Sequence, residues 1–98
     1  MRIGTTPTFS FELPFEVSAV RTAKITFRQN RTIILEKKED CKLEGNVVKI
    51  SLTQEETFLF DPRFKMDVQL RVVTVGNDAL SSDIYSAEVE ECLDREVL

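Results

Sequence analysis

Carboxylates are the groups in this chain most able to do chemistry, and they fall in adjacent pairs: Glu39-Asp40, Glu55-Glu56 and Glu90-Glu91. Hydrolysis by paired carboxyls needs both to flank one bond, whereas neighbours on a strand point to opposite faces and cannot share a substrate. There is no histidine, which removes Ser/His/Asp and Cys/His nucleophilic arrangements, HExxH zinc sites and histidine general bases. The glycines, Gly4, Gly45 and Gly76, are too dispersed to form a phosphate-cradling loop. Cys41 and Cys92 lack the paired spacing of a zinc site. They read as two separate thiols of a reducing compartment, a single disulfide between them being the alternative. Asn77, Asp78 and Asp83 offer oxygen ligands without the spacing of a calcium loop, and ordinary turn chemistry accounts for them. The expectation is a non-enzymatic protein with no cofactor and no metal.

What remains is electrostatic. The formal charge of −4 conceals a division: residues 1–49 carry nine bases against six acids, a net +3, and residues 50–98 carry four bases against eleven acids, a net −7. Lys24, Arg28 and Arg31, with Lys37 and Lys38 on the next strand, predict a basic sheet face. No aromatic is interleaved there to stack bases, so a nucleic-acid partner is not expected. Segregated charge instead permits one copy's basic surface to meet another's acidic one.

Alternation dictates the elements that carry these charges. In Thr8-Phe9-Ser10-Phe11-Glu12-Leu13 the odd positions are apolar, the signature of a strand with one buried face, and Pro14 ends it. Ala23, Ile25 and Phe27 repeat that phase. After a turn at Gln29-Asn30-Arg31, the spacing predicts a third strand over Thr32 to Lys37, with Ile33 and Leu35 inward and Ile34 on the opposite face. Gly45-Asn46 predicts a tight hairpin between Lys42-Leu43-Glu44 and Val47 to Leu52. Thr53-Gln54-Glu55-Glu56 matches a capping box, read as one short helical turn at a corner between strands. Phe58-Leu59-Phe60 resumes alternation. Met66 to Val73 is expected to be the longest strand, and a return strand from about Ser82 to Glu90 changes register after Ile84, as a bulge would allow. Seven or eight short strands and no amphipathic helix predict an antiparallel β-sandwich over residues 1–90, followed by an acidic tail over 91–98. Its core is expected from Phe9, Phe11, Leu13, Ile25, Phe27, Leu35, Leu43, Val48, Ile50, Leu52, Phe58, Phe60, Val68, Leu70, Val72 and Val89. Neither a signal-peptide h-region nor an apolar run of membrane-spanning length occurs, so synthesis in a cytoplasm and no membrane partner are expected.

The runs Ala23-Lys24-Ile25-Thr26-Phe27-Arg28-Gln29-Asn30, Ile50 to Phe60, and Val68-Gln69-Leu70-Arg71-Val72 followed by Ser81-Ser82-Asp83 resemble small proteins of phages and prophages of Firmicutes. The same order of features is similar to the immunoglobulin-like N-terminal domain of phage baseplate upper proteins, over about Thr6 to Val89. The resemblance implies an immunoglobulin-like sandwich and a structural role in a phage or prophage particle, in tail, baseplate or head-tail region. It transfers no active site.

The expected function is therefore assembly through protein contacts, with other virion proteins or with further copies of the chain, first in the bacterial cytoplasm and then in the virion. The candidate interface joins apolar residues off the core phase, Ile34, Leu59, Val73 and Val75, to the bases Arg28, Arg31, Lys37 and Lys38. Glu88, Glu90, Glu91 and Asp94 of a neighbour would answer those bases. The alternative is a carbohydrate or cell-surface binding sandwich, for which Tyr85 is the one aromatic placed to lie against a sugar.

Overall fold

In the computed structural model, which describes residues 1–98, the alternating segments become eight strands: β1 Thr8–Glu12, β2 Val20–Gln29, β3 Thr32–Lys37, β4 Lys42–Glu44, β5 Val47–Ser51, β6 Met66–Thr74, β7 Ala79–Ser81 and β8 Tyr85–Ala87. One 3-10 turn, Val17–Ala19, precedes β2, and one helical turn, α1 Gln54–Thr57, follows β5. Strands β1, β5 and β4 form one sheet in that order; the second runs β3-β2-β6-β7, with β8 also on β6. Every strand pair is antiparallel. In immunoglobulin lettering these orders are B-E-D and C′-C-F-G, so the chain is an immunoglobulin-like sandwich whose first sheet begins at strand B. No helix is long and apolar enough to cross a membrane.

The two inner faces meet in a core where Phe27, Phe60, Ile25, Val48 and Met66 are fully buried. Phe27 stacks edge-on against Phe60, their centroids 5.9 Å apart, which ties the second sheet to the corner after α1. That corner is built by the predicted capping box: Thr53 Oγ1 accepts from the Glu56 amide at 3.1 Å and Glu56 Oε1 from the Thr53 amide at 2.9 Å. Turn bonds then continue from Leu59 and Phe60 back to Glu56 and Thr57, so Phe58-Leu59-Phe60 is not the strand that its alternation suggests.

Four further expectations are corrected. Phe27 opposes Leu35 while Arg28 opposes Ile33, so Ile34 is an extra residue in a bulge. The bulge reverses the phase: Ile34 packs against the core, and Ile33, expected inward, is 51% exposed. Leu43, expected in the core, is exposed because β4 is a three-residue edge strand with no second sheet over it. The longest strand is β2, at ten residues, because it continues through Gln29. Asn30 and Arg31, at φ 47° and 68°, then form the two-residue turn with both central residues left-handed. The return strand is divided: Arg71 pairs with Ser81 but Val68 with Tyr85, a slip of one residue, as the sequence register required. Ser82 fills the break by accepting the Leu70 amide on its hydroxyl at 3.0 Å.

Both chain ends pack at the α1 end of the sandwich. Ile3 is fully buried, and Arg2 pairs in parallel with Glu90. Gly4 donates its amide to the buried Thr57 hydroxyl at 2.8 Å. It stands at φ 79°, where an added Cβ would come within 3.2 Å of both Cys92 Sγ and the Phe58 ring. The tail is held too: Leu98 donates to Gln54 Oε1 at 2.8 Å, and the Arg95 guanidinium lies 5.1 Å from the Phe58 ring centre.

Candidate protein-binding edge and groove

β1 is an edge strand whose only partner is β5. The Leu13 amide donates to Asn46 and the Leu52 amide to Pro7, so the odd residues of β1 turn their backbone toward β5. Alternation then turns the N–H and C=O of Thr8, Ser10 and Glu12 toward the open side. β1 contains no Lys, Arg or Pro, the usual guards of an exposed edge; Pro7 and Pro14 stand just outside it.

Beneath this edge the two sheets part into a groove of about 880 Å³. Phe9, Phe11, Leu13 and Phe15 line one wall, and Val68, Leu70, Val72, Leu80 and Tyr85 the other. None of residues 1–7 enters it. Phe9 leans on the core, 5.3 Å from Phe27, and Phe11 meets Tyr85 across the mouth at 6.0 Å. Phe9 and Phe11 are in the predicted phase yet remain half-buried, because no strand lies beside β1 to cover them. Alternation identifies the face of a strand, not whether its neighbour exists. Tyr85, the candidate sugar platform, is 55% exposed and leans at 54° to the Phe11 ring.

The sequence-predicted interface residues do not converge. Arg28 is bound to Asp67 at 2.7 Å in its own chain. The Ser86 hydroxyl, then Arg28, holds the Asp67 carboxyl below its ordinary range. Lys37, expected on the basic outer face, lies on the inner side of β3 opposite Ile25. There its side chain is only 11% exposed and its ammonium pairs with Glu56 at 2.7 Å and Asp40 at 3.0 Å. Lys24 pairs with Glu36 at 3.0 Å, so most of the basic face is neutralised locally. Glu88 faces Lys65 at 3.6 Å and Glu90 faces Arg2 at 2.6 Å. The Glu91 carbonyl accepts from Arg2, and Asp94 accepts the Glu96 amide. Arg31 and Lys38 are exposed. Leu59 at 56% and Val75 at 66% are exposed at different corners, while Val73 is half-buried opposite Ala79. Arg28 and Val73 flank nearly the whole of β6, roughly 20 Å along the strand. Cys41 and Cys92 are both free thiols, and burial pushes that of Cys41 up.

Gln29 was legible only as part of a turn. Its buried amide instead donates to the carbonyls of Asp61 and Phe64 at 2.8 and 3.0 Å and accepts the Asp61 amide at 2.8 Å. It thereby fixes the approach to β6, which supplies Val68, Leu70 and Val72 to one wall of the groove. A buried polar residue in apolar phase is the signal that points to it.

No family model matches the chain, and no curated protein matches it. Among solved structures it is similar to the V domain of amphioxus IgVJ-C2, at 13% identity and a TM-score of 0.36, over 91% of this chain and 96% of that one.

Proposed function

We propose that the chain is a non-enzymatic assembly module of a phage or prophage particle, and that its protein contact is the β1 edge with the groove below it. The observation that carries this reading is the coincidence of two unmet demands in one place. A row of outward backbone groups on Thr8, Ser10 and Glu12 borders an apolar groove lined by half-buried phenylalanines. A strand from a protein meets both demands, through main-chain bonds along β1 and alternate side chains into the groove. A small apolar molecule would meet only the second. The particle context is taken from the resemblance to baseplate upper proteins.

The test is incorporation. In particles purified after prophage induction, mass spectrometry is expected to find the chain, and to find it depleted when β1 carries Ser10→Pro. Particles that assemble fully without the chain would sink the reading.

A further inference from the structure

We infer that the occupant of this edge is the same edge of a second copy: two β1 strands pair antiparallel about Ser10, joining two three-stranded sheets into one of six. This rests on the reading of the β1 edge as the protein contact. β1 is complementary to itself. With Ser10 opposite Ser10 of the second copy, Thr8 faces Glu12 of the second copy, and all three residues are those whose N–H and C=O point outward. Phe9 then stands beside Phe11 of the second copy on the inner side, so the two grooves open toward each other and cover one another.

Charge permits this register. The two Glu12 carboxylates lie at opposite ends of the seam, four residues or about 14 Å apart along the strand, beyond the screening length of about 8 Å at physiological salt. Each Glu12 instead meets a Thr8 hydroxyl. Lys49 is exposed on β5 directly opposite Ser10, so each copy places a positive charge on the outer face between the two carboxylates. Two Glu12 and two Lys49 make the joined patch neutral although each chain carries −4.

Sedimentation velocity over a concentration series tests this with the full chain. The expected result is a dimer for the native protein and a monomer for Ser10→Pro. Proline at Ser10 removes an N–H that has no partner within the monomer and suits extended backbone, so the far-UV spectrum and melting of the monomer stay unchanged. Ser10→Lys provides a second guarded edge with the backbone donor kept, and is expected to give the same loss. Hydrogen exchange of the native dimer is expected to protect the amides of Thr8, Ser10 and Glu12, and both variants to lose the protection at Thr8 and Glu12, where each still carries an amide. A native chain that stays monomeric at every concentration overturns the inference, as does a dimer that survives both substitutions. A native monomer whose incorporation into particles is lost with Ser10→Pro also overturns it, leaving the edge reading intact with a strand of another protein as occupant. A monomer that retains an apolar small molecule in native mass spectra overturns both.

Discussion

Lys37 and Glu56 are the clearest case of a charged pair acting as structure. Lys37 stands on the core-facing side of β3, and the pair bridges that strand to α1 with side chains 11% and 20% exposed. The hydrogen bond it donates to Glu56 raises the Lys37 ammonium above its ordinary value against the opposing effect of burial. Burial pushes the Glu56 carboxyl up, but the bonds from Lys37 and Thr53 prevail and hold it below its ordinary 4.5. A depressed carboxyl contributes stability that is present above its unfolded value and is lost as pH falls through the lower folded one; a raised ammonium contributes below 10.5 and loses it as pH climbs through the higher folded value. Glu56→Gln keeps the capping-box geometry and removes only the charge. It is therefore expected to cost about 1–2 kcal/mol at pH 7, where a partly buried lysine is left with Asp40 alone. Urea denaturation of both proteins checks this. The gap between them should shrink toward zero once pH falls below the folded value of Glu56, and a gap that persists in acid would mean that the pair contributes nothing.

At the scale of elements, what could be read from the sequence was whatever depends on near neighbours. The Gly45-Asn46 hairpin forms as expected, with Gly45 at φ 60°, and so does the capping box at Thr53. Because Thr53 satisfies one donor of a helix only four residues long, Thr53→Ala is expected to lower stability by about 1 kcal/mol in thermal or urea unfolding. The same substitution should loosen Thr57 and hence the Gly4 clip, seen as faster exchange of the Gly4 amide. What could not be read depends on partners remote in sequence. Ile33 and Ile34 exchange faces because of one bulge, which period-2 reading cannot locate inside a run of three apolar residues. Leu43 is in phase but has no sheet above it, and Ile3 is buried only because the N-terminal segment reaches Glu90. The groove was invisible for the same reason: Phe9 and Phe11 announce a buried face, and only the sheet order shows that β1 lacks an outer neighbour.

For the whole molecule, the sheet order changes what surface charge can do. The division into a +3 half and a −7 half invites head-to-tail attraction, yet β2 from the first half pairs along its length with β6 from the second, so the charges interleave in one sheet. Arg28 meets Asp67, Arg2 meets Glu90 and Lys37 meets Glu56, each pair joining the two halves within one chain. An interface built from those residues would first have to break these contacts, and its strength would fall steeply with salt. Pairing through β1 makes the opposite demand: main-chain bonds and apolar cover carry it, and the one carboxylate on the strand meets a hydroxyl. The dimer dissociation constant is therefore expected to change by less than about threefold between 50 mM and 500 mM NaCl, where only the screened Glu12 and Lys49 charges respond. Sedimentation equilibrium at the two salt concentrations measures it directly. A tenfold or greater weakening in high salt would return the interface to the charged faces, and Arg31 and Lys38, exposed on either flank of β3, would be the first residues to reverse.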